Sequence, residues 1–273
     1  MFRFYIFGGE YSKEQEMLKR FTTDFTVVGN KKIGEDYILL ELKHPNNLPQ
    51  IDAGQFVEIQ IPDTAKTFLR RPISIHDVNY ESNTISLLIR IVGNGTTLLS
   101  NLIDGDKVNL IYPLGNGFSI DKAGKKALLI GGGVGVAPML YLAKKLKENG
   151  SIPEFLFGAK SSDGLLLIDT FKQEGAVHIT TEDGSVGEKG FVTNHYVFNQ
   201  LNDYTSIFVC GPTPMMKAIG KIAITEKIHC EVSLENKMAC GIGVCLCCVT
   251  ETKEGHKCVC SEGPVFEINE LTW

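Results

Sequence analysis

The sequence predicts a multidomain fold: an antiparallel β-barrel, a parallel doubly wound α/β domain, and a small cysteine-rich C-terminal domain. Three observations predict it. Short β-rich runs separated by turn residues fill residues 24–122. Strand and helix patterns alternate from about residue 125. Six of the eight cysteines fall between Cys240 and Cys260.

In the first region the runs are Phe25–Val28, Tyr37–Leu42, Phe56–Ile61 and Ile85–Val92, with turns at Gly34, Pro45–Asn47, Asp52–Gly54 and Asn79–Asn83. Evenly spaced short strands of this kind close into a barrel. A helix is expected over Thr96–Leu102, after a glycine-rich stretch. In the second region the expected strands are Lys126–Ile130, Phe155–Ala159, Val177–Thr180 and Ser206–Cys210. The expected helices are Met139–Asn149, Leu165–Glu174 and Pro214–Thr225. Strands alternating with helices indicate a parallel sheet. The expected domains are 22–122, 123–230 and 231–273, with residues 1–21 as an extension in which Met17 is an alternative start. The last segment is too short to hold a core by itself, so it needs a bound group and a neighbour.

Composition excludes several classes. The 273 residues are 43% hydrophobic and 22% charged, with a net charge of −5. There is no basic patch to bind nucleic acid. No window is apolar enough for a membrane span, and the start lacks a cleavable signal, so a cytoplasmic protein is expected. In a reducing compartment clustered cysteines bind metal more often than they pair as disulfides.

Cys240-Gly-Ile-Gly-Val-Cys245-Leu-Cys247-Cys248 contains C-x4-C-x2-C. This is the plant-type [2Fe–2S] spacing, which a more distant cysteine completes. The loop must curl tightly around the cluster, and Gly241 and Gly243 give it the freedom and bare N–H groups to do so. Spacing alone leaves Cys258 and Cys260 both open as the fourth ligand. Cys247 is surplus to the pattern. A zinc site would use two C-x2-C knuckles, whereas here one C-x2-C adjoins a C-x-C. Cys210 and Cys230 are read as packing residues, although Cys210 also opens a strand-to-helix turn.

Three further stretches suit phosphate-bearing cofactors. In Arg70-Arg71-Pro72-Ile73-Ser74-Ile75 a guanidinium can fork onto a pyrophosphate. Gly93-Asn94-Gly95-Thr96 offers backbone N–H groups before a helix. Gly131-Gly132-Gly133-Val134-Gly135 lies between a buried strand and a helix, where the backbone can approach a dinucleotide, although the spacing is not G-x-G-x-x-G. Cys210-Gly211-Pro212 and Glu182-Asp183-Gly184 follow strands at the same sheet edge, and Asp183 is a candidate acceptor for ribose hydroxyls.

These elements, in this order, resemble the ferredoxin–NADP reductase superfamily. With the cysteine segment at the C-terminus, residues 22–268 closely resemble the electron-transfer subunits of type B dihydroorotate dehydrogenases. The most specific strings are Leu69–Ile75, Gly131–Met139, Met238–Cys245 and Val259–Phe266. The resemblance implies an FAD-binding barrel, an NAD-binding α/β domain and a [2Fe–2S] domain. It implies FAD contacts at Arg71, Pro72, Ile73 and Ser74, at Leu88, Ile89 and Arg90, and at Gly95 and Thr96. It implies Cys240, Cys245, Cys248 and Cys260 as cluster ligands. It also implies a partner, an FMN-containing catalytic subunit that oxidises dihydroorotate, in a heterotetramer of two of each chain, with electrons reaching NAD⁺ through the cluster and FAD. No residue of this chain is then expected to act as catalytic acid or base. The chain departs from the pattern at Ile73, where the wider superfamily has tyrosine, and in a short interval from Cys248 to Cys260. An NADH:ferredoxin–NADP transhydrogenase or sulfhydrogenase-type complex would use the same architecture with another partner. A zinc-stabilised nucleotide-binding module would carry no electrons.

Overall fold

The computed structural model describes residues 20–62 and 67–273. The expected extension therefore lies outside the described residues up to Lys19, and Phe21 already opens the first strand.

The barrel sheet is built from β1 (Phe21–Ile33), β2 (Tyr37–Lys43), β3 (Phe56–Ile59), β4 (Arg71–Ser74), β5 (Asp77–Asn79), β6 (Thr84–Arg90) and β7 (Lys107–Leu114). Its order is β4-β3-β7-β1-β2-β6-β5, with every pair antiparallel. On β2 the alternation is clear: Ile38, Leu40 and Leu42 are buried while Glu41 and Lys43 are exposed. That is the signature of a strand with one face on a core. The sheet curls until β4 lies beside β6. Helix α1 (Asn94–Ser100) caps it.

The second sheet holds β8 (Lys126–Gly132), β9 (Ile152–Ala159), β10 (Ala176–Thr181), β11 (Glu188–Lys189), β12 (Ser206–Cys210), β13 (His229–Ser233) and a late strand, β16 (Val265–Glu267). The order is β11-β10-β9-β8-β12-β13-β16, parallel throughout except for β16. β12 is buried at every residue, as expected of a parallel strand covered on both faces. The helices are α2 (Met139–Glu148), α3 (Ile168–Lys172) and α4 (Thr213–Glu226). α3 is shorter than the expected 165–174, because Leu167 sits at φ 53°, a left-handed conformation that no helix can run through.

The expected boundary at 230/231 falls inside β13. Glu231, Val232 and Ser233 pair with β12 on one side and β16 on the other. The chain leaves the sheet at Leu234 and returns at Pro264, where the Leu234 N–H donates to the Pro264 carbonyl at 2.9 Å. Between these points lies the cysteine segment with its hairpin, β14 (Val249–Thr252) and β15 (Gly255–Cys258).

The units are firmly joined. His76, just beyond β4, is buried, and its Nδ1 lies 2.7 Å from the Ala137 carbonyl at the start of α2. Burial holds its imidazole below the usual range, so the ring is neutral and Nδ1–H donates. Lys144 and Asp77 add an ion pair at 2.6 Å. On the other side, Phe56 of β3 and Leu114 of β7 share one hydrophobic core with Cys248, Val259 and Cys260. The Asn116 N–H donates to the Gly263 carbonyl at 2.6 Å.

Candidate functional site

The cysteine loop, residues 240–248, is strongly curved. Gly241 and Gly243 have φ of +68° and +84°, and Leu246 also has positive φ. The backbone turns its N–H groups towards sulfur. Ile242 and Cys245 donate to Cys240 Sγ at 3.5 and 3.4 Å, Gly243 donates to Cys260 Sγ at 3.1 Å, and Cys260 donates to Cys248 Sγ at 3.3 Å. Despite the cost of burial, these N–H groups hold the Cys240 thiol down to about 6. Burial and the adjoining Cys248 push the Cys260 thiol up to about 12. Neighbouring thiols cannot all ionise without a cationic centre among them, so by their chemistry these cysteines fit an iron–sulfur cluster. The geometry brings Cys260 into the loop's hydrogen bonds. Cys258 instead ends β15, where its N–H donates to Glu262, and Cys247 is exposed.

The two arginines of the flavin-type motif have different tasks. Arg70 is spent on the barrel: it donates to the carbonyls of Glu58 and Asn109 and to Asn109 Oδ1. Arg71 donates to the carbonyls of Leu69 and Arg70, and its guanidinium lies over Gly95, where a Cβ would come 3.2 Å from Nε. Arg71 and the start of α1 thus form one cradle. The Thr96 hydroxyl is already engaged, accepting from the N–H groups of Val92 and Gly93 at 2.9 and 3.2 Å. It shapes the loop ahead of α1. Pro72, Ile73 and Ser74 complete β4 beside β6. Leu88 and Ile89 bury their side chains, while Arg90 is exposed and lies 5.9 Å from the Tyr37 ring centroid. β5 covers only Thr84–Ser86, so among the described residues the β6 backbone at Leu88–Arg90 has no strand partner on that edge. These features fit a flavin dinucleotide. Arg71→Ala is expected to weaken FAD retention by about 2 kcal/mol, the worth of a charge-assisted pyrophosphate contact. Fluorimetric titration of the deflavinated protein with FAD measures it.

A cleft of about 730 Å³ opens at the C-terminal edge of the parallel sheet. Tyr37, Asp36 and Arg90 of the barrel form one wall, and Gly132, Gly133, Gly158, Lys160, Glu182, Gly211, Pro212 and Met215 the other. This is where open α/β sheets bind ligands. The start of α4 faces the cleft, bringing the positive end of a helix dipole to it.

The glycine string divides its labour. Gly131 and Gly132 are the last residues of β8, and a short 3-10 turn at Gly133–Val136 precedes α2, so the string is not itself a helix N-terminus. Gly132 and Gly133 line the cleft. Gly131 and Gly135 are packing positions: a Cβ on Gly131 would meet Val136, and one on Gly135 would collide with the Cys210 carbonyl oxygen.

Two expectations shift. Asp183 is fully exposed, and its Oδ1 accepts from the Ser185 N–H and hydroxyl at 2.9 and 2.7 Å, so it closes its own turn. At this turn the acidic residue that lines the cleft is its neighbour Glu182. Cys210 is buried, with its thiol driven well above the usual range by burial, and it reaches the cleft only through Glu235, whose Oε1 lies 3.9 Å from Sγ. Glu235 also lines the cleft and was missed in the sequence. Its only signal there is its place five residues ahead of the cysteine loop.

Barrel, cleft and cysteine loop together define an NAD-linked oxidoreductase of the ferredoxin–NADP reductase type. Residues 129–221 match the oxidoreductase NAD-binding domain, and residues 235–272 match the iron–sulfur cluster binding domain of dihydroorotate dehydrogenase B. The dihydroorotate dehydrogenase B (NAD(+)) electron transfer subunit of Bacillus pumilus is 38% identical, covering 90% of this chain and 96% of its own length. That of Streptococcus mutans is 39% identical, covering 91% and 97%. Among solved structures, one of the NADH-dependent reduced ferredoxin–NADP oxidoreductase, an electron-bifurcating flavin system, is 31% identical with a TM-score of 0.81, covering 91% of this chain and 90% of its own. Phthalate dioxygenase reductase, at 19% identity and a TM-score of 0.65, shares the fold. The chain belongs to the family of dihydroorotate dehydrogenase B electron-transfer subunits. Its cofactor set is FAD, a [2Fe–2S] cluster and NAD. No helix among the described residues is long and apolar enough to cross a membrane.

Proposed function

We propose that this chain carries electrons from an FMN-containing dihydroorotate dehydrogenase catalytic subunit to NAD⁺, in the cytoplasm, within a heterotetramer of two of each chain that serves pyrimidine (UMP) synthesis. In this reading Cys240, Cys245, Cys248 and Cys260 hold the cluster, and Arg71–Ser74, Leu88–Arg90, Gly95 and Thr96 hold FAD. Gly132, Gly133, Gly211 and Pro212 receive the dinucleotide, with Glu182 rather than Asp183 towards its ribose. Bound FAD supplies two-electron hydride chemistry and the cluster one-electron exchange. The chain's own residues position and insulate; no side chain is assigned as acid or base.

The observation that carries this reading is the sharing of one scaffold. β3 has the flavin motif as its strand partner and packs with the cysteine segment, while the nucleotide cleft opens on the same barrel at Tyr37 and Arg90. The test is anaerobic oxidation of NADH by the complex co-expressed with its catalytic subunit. Bleaching of the flavin and iron–sulfur bands by NADH, and their recovery when orotate is added, is the expected result. Reoxidation by ferredoxin and NADP⁺ but not by orotate would favour the second reading, a transhydrogenase subunit, which the 31% identity to the ferredoxin–NADP oxidoreductase structure supports.

A further inference from the structure

Side chains on β3 alternate between two cores. Val57 and Ile59 enter the barrel interior, whereas Phe56 packs with Cys248 and Cys260. Glu58 follows Phe56 by two residues and so points to the same side. It is completely buried, and neither carboxyl oxygen has a hydrogen-bond partner among the described residues. Arg70, the nearest source of donors, is turned to the Glu58 main-chain oxygen and to Asn109 instead. An unpartnered buried carboxyl is costly, and a strand this short offers many cheaper residues.

The Glu58 side chain ends against Gly241. A Cβ on Gly241 would lie 2.5 Å from Glu58 Cγ, 3.0 Å from Oε1 and 3.2 Å from Cδ. Gly241 is also held at φ +68°. The cysteine loop therefore rests directly on this carboxyl, and the pair fits only as a long side chain opposite a bare Cα. Glu58 pairs across the ladder with Pro72, and Ile59 with Arg71, both in the flavin motif.

We propose that Glu58 is the positioning residue that seats the cluster loop on the flavin-binding strands, fixing the separation of the two redox sites. The proposal rests on the FAD and cluster assignment of the preceding section but not on the identity of the substrate or partner. A carboxamide has the shape of the carboxyl group, so Glu58→Gln keeps the seat, whereas Glu58→Ala removes it.

The test uses the full complex with its cofactors and needs no orotate. In Glu58→Ala, the electron paramagnetic resonance line shape of the dithionite-reduced cluster is expected to change. NADH-driven reduction of the cluster, followed by stopped flow, is expected to slow by about tenfold or more, since reacting groups lose rate steeply when misplaced by an ångström. Flavin reduction by NADH should stay at the wild-type rate, and Glu58→Gln should remain within about twofold of wild type. Wild-type line shape and cluster-reduction rate in Glu58→Ala would overturn the proposal. So would a Glu58→Gln variant as impaired as Glu58→Ala, because charge rather than fit would then be at work. If Glu58→Ala does not retain its cluster, Glu58→Asp, one methylene shorter, takes its place with the same two readouts and the same outcomes. Because neither readout involves dihydroorotate, a wrong substrate assignment would leave the result unaffected.

Discussion

Cys260→Ser is expected to abolish the iron–sulfur absorbance and the acid-labile sulfide while FAD stays bound, and Cys258→Ser to leave all three in place. Cys260 is tied to the cysteine loop: its sulfur accepts from Gly243 and its N–H donates to Cys248 Sγ. In the proposed ligand set a serine there removes one of four thiolates, and a hydroxyl is a poor substitute for a soft iron ligand. Because cluster binding is part of the folding energy of so small a segment, the hairpin and loop should also become protease-sensitive. Cys258 terminates β15 opposite Val249, and its contribution is a buried sulfur of modest size. Iron and sulfide analysis, with flavin measured on the same sample, separates the two. Loss of the cluster from Cys258→Ser with retention in Cys260→Ser would reverse the ligand assignment.

Gly135→Val is expected to remove NAD binding and to destabilise the protein by more than about 3 kcal/mol, the range of severe overpacking. The first turn after β8 passes so close to the end of β12 that any Cβ on Gly135 would meet the Cys210 carbonyl carbon at 2.6 Å and Gly211 Cα at 2.7 Å. These are backbone atoms of a fully buried strand and its turn, so no side chain can swing aside. The turn would have to lift, carrying Gly132 and Gly133 away from Gly211 across the cleft. Gly133→Ala makes the useful contrast. Its Cβ would enter open space, and the cost there comes from φ +56° alone, about 1 kcal/mol. Thermal unfolding and NADH titration of the two variants measure the difference. Equal effects would mean that backbone conformation, not the close approach, makes glycine necessary at Gly135.

The features written in local spacing were legible from the sequence. The three-cysteine run, the βα alternation and the arginine–proline strand motif each repeat a geometry that a few neighbouring residues determine. What depends on distant pairing was not legible. β7 carries Lys107, Asn109 and Pro113 among its apolar residues and reads as irregular until β1 and β3 flank it. β16 has three residues beside a proline and exists only because β13 offers an edge. Asp183 and Glu182 differ by one position, and the path of the turn after β10 decides which faces the cleft. Arg70 and Arg71 look equivalent in sequence, yet only the barrel wall at Asn109 shows that the first is already occupied. Glu58 reads as an ordinary outward-facing strand residue until the C-terminal segment folds over it.

The β14–β15 hairpin explains why the short interval between Cys248 and Cys260 is harmless. Val249 pairs directly with Cys258, so the residues bracketing the hairpin stay neighbours whatever lies beyond them. The far end of the hairpin is tied down as well: the Lys253 N–H donates to the Glu270 carbonyl at 2.8 Å and Thr252 bridges to Leu271, so the same hairpin that brackets the cysteines also fastens the end of the chain to the cluster segment.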